Sequence, residues 1–176
     1  MIDTSKKFLV AGAGKSGIGS VNLLLKTGAD VSLYDGNEEL DKEAEKLYEK
    51  KEISLVLGNI TKEDIEKYDL LVLSPGISVN APIAQMFYDQ EKPVWSEIEL
   101  AYQASKGKIA AITGTNGKTT TTALTGEIMK GYYESSFVVG NIGIPYTSVA
   151  LDTQENSVIT AEISSFQLET IVDFKP

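Results

Sequence analysis

The chain contains no cysteine and no histidine. Without cysteine there is no disulfide, no thiolate nucleophile and no cysteine-based zinc site. Without histidine the commonest general base and metal ligand is missing. Long apolar runs are absent too. No segment approaches the roughly 18 apolar residues of a membrane span. Basic residues are few, 16 against 25 acidic ones, for a net charge of −9. That balance argues against a nucleic-acid-binding surface. It leaves room for a nucleotide site, which needs only a local positive field. Many of the acids fall between Glu38 and Glu66, on segments that read as solvated helix faces. The opening MIDTSKKFLVAGAG runs straight into a strand with no secretory pattern, so a cytoplasmic location is expected. No internal repeat stands out. What remains is globular: 176 residues, 42% hydrophobic and 23% charged, enough for one domain or two small ones.

The most informative stretch is Lys108 to Leu124, KIAAITGTNGKTTTTAL. An apolar run, Ile109 to Ile112, stops at a glycine-rich turn, and Gly117-Lys118-Thr119 opens a segment able to form a helix. Glycines let backbone N–H groups curl around phosphate oxygens. A helix N-terminus adds unpaired N–H groups and partial positive charge. Lys118 would reach the outer phosphates, with the Thr119 hydroxyl on Mg²⁺. One departure stands out. The general pattern puts a glycine five positions before Gly117, where this chain has Ile112; its nearest glycine is Gly114. An ordinary strand–turn–helix link is the alternative. Four threonines, Thr119 to Thr122, lower helix propensity, so some of their hydroxyls are expected to serve chemistry or capping.

Along the chain, strands are expected at Phe8 to Ala11, Val31 to Tyr34, Ile53 to Leu57, Leu70 to Leu73 and Pro93 to Trp95. Helices are expected from the first glycine loop to Thr27, over Lys42 to Lys51 and over Asn80 to Asp89. This alternation predicts a parallel sheet covered on both faces. A second α/β unit is expected from Trp95, giving domains 1–94 and 95–176. Ser96 caps its first helix, Glu97 to Ser105, with Glu99 placed as in a capping box. Strands follow at Ile109 to Ile112, Phe137 to Val139 and Val158 to Ala161. The second unit has fewer strands than such domains usually need, so it is expected to be incomplete, with apolar sheet surface exposed.

Gly12 to Gly17 fits G-x-G-x-x-G between strand and helix. Asp35 lies eighteen residues after Gly17, at the end of the next strand. Alone, this is a dinucleotide fingerprint with Asp35 on a ribose hydroxyl, or a tight turn without ligand. Two nucleotide-type loops in one short chain suit a ligase or kinase better than a dehydrogenase.

Four segments carry a resemblance: Thr113-Gly114-Thr115-Asn116-Gly117-Lys118-Thr119-Thr120, Ser74-Pro75-Gly76-Ile77, Gly140-Asn141-Ile142-Gly143 and Glu162-Ile163-Ser164-Ser165-Phe166-Gln167-Leu168-Glu169. With these the chain resembles the ATP-dependent Mur ligases of bacterial peptidoglycan synthesis, in particular their D-glutamate-adding branch. The resemblance implies an α/β fold, with a Rossmann-like parallel-sheet domain followed by the first part of a P-loop central domain. It implies UDP-N-acetylmuramoyl-L-alanine and D-glutamate as substrates, ATP and Mg²⁺ as cofactors, and no nucleic-acid or membrane partner. A monomer is the expected state of a full enzyme. The first loop then holds UDP rather than NAD. Gly14, Lys15, Ser16 and Gly17 would bind the UDP substrate, with Ser16 and Gly17 facing the diphosphate. Asp35, Gly36 and Asn37 would meet the uracil-ribose end, and Ser74, Pro75, Gly76 and Ile77 would line the same crevice. Gly114, Thr115, Asn116, Gly117, Lys118, Thr119 and Thr120 would hold ATP. Thr119 and Glu162 would hold metal, and Lys118, Asn141 and Glu162 would serve catalysis. Asn141, Ser164 and Gln167 would help hold the substrate. Two plainer readings stay open: Ser164, Ser165 and Gln167 as caps of the following turn, and Glu162 as a surface acid. The resemblance also implies an amine-substrate site beyond residue 176, so this chain alone is expected not to turn over. Another Mur-family ligase, a non-catalytic UDP-sugar or ATP-binding module, and an NAD-dependent oxidoreductase are the alternatives.

Overall fold

The computed structural model describes residues 2–38, 45, 53–141 and 144–176. Five strands form the first sheet: Lys7–Ala11 (β1), Asp30–Asp35 (β2), Ser54–Leu57 (β3), Leu70–Leu73 (β4) and Val94–Ser96 (β5). All neighbours are parallel, in the order β3-β2-β1-β4-β5. The chain moves outward from β1 to β3 and then returns beside β1 as β4. The reversal leaves a crevice at the carboxyl ends of β1 and β4, the usual ligand position in such sheets. Helix Lys15–Thr27 (α1) follows β1 and ends at Gly28, whose φ of 82° accommodates the left-handed turn.

The period of two in β1 divides the interior. Phe8 and Val10 enter one apolar cluster, and Leu9 and Ala11 enter the other. The second cluster lies under helices Lys62–Ile65 (α2) and Pro82–Asp89 (α3), with Ile65, Ile83, Ala84 and Phe87 buried in it. The expected helix over Lys42 to Lys51 lies outside the described residues, apart from Glu45, which is helical. The short helix α2 was not anticipated. It is held by a Thr61–Asp64 capping box, in which each side chain accepts from the other's backbone N–H.

A second sheet has three parallel strands in the order β6-β8-β7: Lys108–Ile112 (β6), Ser136–Gly140 (β7) and Val158–Glu162 (β8). Helix Lys118–Tyr132 (α5) packs on it through buried Thr122 and Gly126. A Cβ at Gly126 would lie 2.3 Å from Val138 Cγ2, so glycine sets the helix–sheet distance. Leu124, Ile128 and Tyr132, spaced four apart on the same helix, are exposed.

Helix Glu97–Ala104 (α4) links the sheets. It follows β5 directly and packs on α1 and on helix Tyr146–Val149 (α6). Ile98 and Ala101 of α4 join Phe8, Val21, Tyr146 and Ile159 in one cluster, so a single core runs beneath both sheets. A division at Trp95 would fall inside β5, which pairs with β4 from Val94 to Ser96.

The expected capping box at α4 forms only by half. Ser96 Oγ accepts from Glu99 N at 3.4 Å. Glu99 does not return the bond. Its fully buried carboxylate instead accepts backbone N–H bonds from Val172, Asp173 and Phe174 at 2.8–3.2 Å, and Gln103 Nε2 donates at 2.8 Å. Among the described residues no helix is long and apolar enough to cross a membrane. Replacing Glu99 by alanine would remove the acceptor of three backbone N–H groups, of which that of Phe174 is buried. Unfolding in urea is expected to show Glu99→Ala destabilised by about 2–4 kcal/mol, with the 172–174 segment loosened first in hydrogen exchange.

Candidate substrate and phosphate site

The crevice at the end of β1 and β4 is packed too tightly for any residue but glycine at two points. Gly12 has φ of 97°, and a Cβ there would meet Ser74 at 2.9 Å. At Gly17 a Cβ would lie 1.7 Å from the Gly12 carbonyl oxygen. Gly17 is buried, so its first task is to let α1 approach the strand; only its backbone is available to a ligand. Ile18 N is the first N–H of the helix bonded within it, to Gly14 O, which leaves the preceding N–H groups without intrahelical partners.

Asp35 closes this loop from β2. One carboxylate oxygen accepts from Ala13 N at 2.7 Å, and the other from Asn37 N at 2.9 Å. The carboxylate thus fixes the glycine loop, with its remaining lone pairs free for a hydroxyl.

These residues border a cavity of about 1050 Å³. Of the residues expected at the UDP compound, Gly14, Lys15, Ser16, Asp35, Gly36, Ser74, Pro75, Gly76, Ile77 and Asn141 line it. Gly17, Asn37, Ser164 and Gln167 do not. Sequence reasoning missed the far wall, Asn59, Ile60, Ile83 and Met86, which carries no motif and comes from β3's exit and α3. Gly140, Asn141 and Pro145 reach the cavity from the second sheet, so both sheets border one space.

The glycine loop after β6 lies outside this cavity and is exposed from Thr113 to Gly117. Gly117 (φ 77°) caps α5 and Gly114 (φ 148°) turns the loop, so Gly114 supplies the turn that Ile112, the last residue of β6, does not. Lys118 Nζ donates to Gly114 O at 2.8 Å and Thr115 O at 3.5 Å, folded over its own loop. All 16 basic residues of the chain are lysines, so no bidentate guanidinium is available to phosphate.

Glu162 ends the central strand β8, in register with Ile112 on one side and Gly140 on the other. It is not a surface acid: it is 4% exposed, and Oε2 is buried without a partner. A Cβ at Gly140 would fall 2.1 Å from the Glu162 carbonyl oxygen, which explains that glycine. Among the described residues no three acids cluster into a ready-made metal cage. One buried carboxylate with an unused oxygen, near a phosphate-type loop, fits Mg²⁺, which takes one or two carboxylates and fills the rest with water and phosphate.

Ser164 and Gln167 bond to each other, an arrangement that the capping reading expects and that leaves a substrate role for Ser164 open. Gln167 Oε1 accepts from Ser164 N at 2.7 Å and from Ser164 Oγ at 2.9 Å, and Gln167 N donates weakly to Ser164 Oγ at 3.4 Å, capping the turn Phe166–Thr170. Gln167 is 2% exposed and turned inward. Its Nε2 donates to Glu97, an acid that sequence reasoning did not single out. Burial pushes the Glu97 carboxyl up to about 7, against the lowering effect of the Gln167 bond.

Comparison with known proteins agrees with this geometry. Residues 6–96 match the Mur ligase MurD-like N-terminal domain, and residues 112–175 the Mur ligase middle domain. The UDP-N-acetylmuramoylalanine–D-glutamate ligase of Lachnospira eligens is 55% identical over 174 residues, covering 98% of this chain and 38% of that protein. The ligase of the same name from Lachnoclostridium phytofermentans is 53% identical, covering 97% and 38%. The chain therefore spans about two-fifths of the length of these relatives. Among solved structures, the UDP-N-acetylmuramate:L-alanyl-gamma-D-glutamyl-meso-diaminopimelate ligase from Neisseria meningitides aligns with a TM-score of 0.55 at 17% identity, over 92% of this chain and 55% of that one. A pseudomurein peptide ligase type C from Methanothermus fervidus gives 0.51 at 23%, over 91% and 33%. At these identities the structures support the fold alone.

Two outcomes follow from the packing. Gly17→Ala is expected to lower stability by about 3 kcal/mol or more, since the new methyl meets backbone rather than a movable side chain; thermal unfolding checks this. Glu97 should also make stability depend on pH. Between its ordinary value of 4.5 and about 7, the folded chain keeps a proton that the unfolded chain releases. Stability from this group is therefore full below 4.5 and lost as pH rises through about 7, by up to about 3 kcal/mol. Glu97→Gln should lack that decline when urea unfolding is compared at about pH 5 and about pH 8.

Proposed function

Because this chain belongs to the Mur ligase family, we propose that it forms the substrate-nucleotide and phosphate-binding part of a ligase. That ligase joins D-glutamate to UDP-N-acetylmuramoyl-L-alanine at the expense of ATP. One observation carries the reading. The glycine loop of the first sheet and the Gly140-Asn141 loop of the second border a single cavity. A nucleotide held at Asp35 can then extend its acyl end toward the second sheet.

The reaction joins a carboxylate to an amine. A carboxylate repels nucleophiles and has no good leaving group. Transfer of the ATP γ-phosphoryl to the alanine carboxylate gives an acyl phosphate and ADP. The D-glutamate amine then attacks the acyl carbon, the C–O bond to phosphate breaks, and the amine loses a proton. The first step brings two anions together. Lys118 is assigned to neutralise that repulsion by swinging from its carbonyls onto the outer phosphates. The loop N–H groups of Gly114 to Thr120 are assigned to the phosphate oxygens. Magnesium, when bound, supplies further positive charge to the transferred group, with Thr119 and Glu162 assigned to hold it. Asn141 is assigned to the substrate or the transferred phosphoryl. Asp35, Gly36, Asn37 and the Gly14–Gly17 loop are assigned to the UDP end, with Ser74 to Ile77 beside them. Ser164 is assigned to the acyl end, with Gln167 supporting it from beneath. The first unit is taken to end with β5 and the second to begin with β6, α4 joining them.

The test is calorimetric titration of the 176-residue chain with UDP-N-acetylmuramoyl-L-alanine and, separately, with NAD. Saturable binding of the first alone is expected. Asp35→Ala should weaken it roughly 10–100-fold, the loss of a charged hydrogen bond and of the loop's anchor. Binding of NAD in place of the UDP compound would return the first loop to its dinucleotide meaning and overturn the proposal.

A further inference from the structure

The buried pair of Glu97 and Gln167 joins the first residue of α4 to the turn after β8, 70 residues apart in sequence. It is neither at the surface nor in the large cavity. Its surroundings decide what it can do. Ser164 N donates to Gln167 Oε1, which fixes which end of the amide is oxygen. Nε2 must then face Glu97, whose carboxylate oxygen accepts from it. The orientation passes one step further. The Ser164 hydroxyl, facing the same Oε1, gives its only proton to it. One lone pair of Ser164 Oγ takes the weak bond from Gln167 N. The other remains to accept a donor from outside.

Glu97 has no room to meet a substrate itself. The space beside it, between Ser74, Pro75 and Ile77 of the first unit and Phe166 and Gln167 of the second, is about 10 Å³. That holds one water at most. Its Oε2 is buried and has no protein partner. A carboxylate so placed acts on the residues that touch it and on nothing larger than water.

We propose that Glu97 is a positioning residue for the acyl end of the substrate: through Gln167 it holds the Ser164 hydroxyl as a hydrogen-bond acceptor toward an amide N–H. This rests on the ligase reading above, which assigns Ser164 to that end of the UDP compound. That reading assigns the nucleotide end to Asp35 and the first glycine loop, which line the large cavity from a different sheet. Loss of Glu97 therefore affects one end of the ligand and spares the other.

The experiment compares two ligands on three forms of the full 176-residue chain: wild type, Glu97→Gln and Glu97→Leu. The ligands are UDP-N-acetylmuramoyl-L-alanine and UDP, titrated calorimetrically. Leucine keeps the bulk and removes the acceptor. It is expected to weaken the long ligand about tenfold and leave UDP within about twofold. Glutamine still offers Gln167 an oxygen and should restore wild-type affinity for both. If Glu97→Leu binds both ligands as wild type does, or loses both equally, the positioning role is wrong. Wild type binding neither ligand would instead sink the ligase reading, and this inference with it. Should Glu97→Leu not fold, the wild-type chain answers alone: the Gln167 side-chain amide signal in NMR should move on adding the long ligand and stay still with UDP. No movement with the long ligand overturns the proposal.

Discussion

The architecture depends on two carboxylates at the start of one helix. Glu97 and Glu99 open α4, the element between the sheets, and both are buried. Each reaches across to the last stretch of the chain, Glu97 to Gln167 and Glu99 to the N–H groups of 172–174. A buried charge is tolerated only when paired or well bonded. Here the two acids are bonded differently. Glu99 has three backbone N–H donors and a side-chain amide. Glu97 has one amide, and one of its oxygens has no protein partner. Glu99 stabilises an arrangement, and burial pushes the Glu97 carboxyl up to about 7. Together they hold the turn after β8 against the first sheet, so the carboxyl ends of both sheets open toward the same side.

That common orientation gives the site its form. In a parallel sheet the carboxyl ends of all strands lie at one edge. The first sheet contributes Gly12 to Gly17 and Ser74 to Ile77, and the second contributes Gly140 and Asn141 to the same cavity. Glu162 sits between the exits of β6 and β7, beside the phosphate-type loop on one flank and the cavity-lining Asn141 on the other. The glycine loop of the first sheet and Asn141 of the second therefore face one space.

Much of this was legible in the chain. Apolar runs, most of them ending in a glycine turn, mark every strand of both sheets to within one or two residues, because buried parallel strands read as continuous hydrophobic segments. The two glycine loops and Asp35 could be located by spacing. What sequence could not convey was the direction of acids. Glu99 sits where a capping-box partner belongs, three after Ser96, yet its carboxylate turns inward to residues more than 70 positions away. Glu97 drew no reading beyond being the first residue of its helix. Gln167 was expected at the substrate and is instead buried, its amide bonded to Ser164 and Glu97. Asn59, Ile60 and Met86 have no local pattern, since a cavity wall is defined by what stands opposite it. Helix α2 is only four residues long, too short for a period to register.

Lys118 resting on the carbonyls of Gly114 and Thr115 has a further consequence. The ammonium rests on carbonyls of its own turn, so an anion that draws it away must replace those bonds, and pairing with it is an exchange rather than a simple attraction. Under the ligase reading, such an exchange favours a ligand with enough oxygens to bond the loop N–H groups as well.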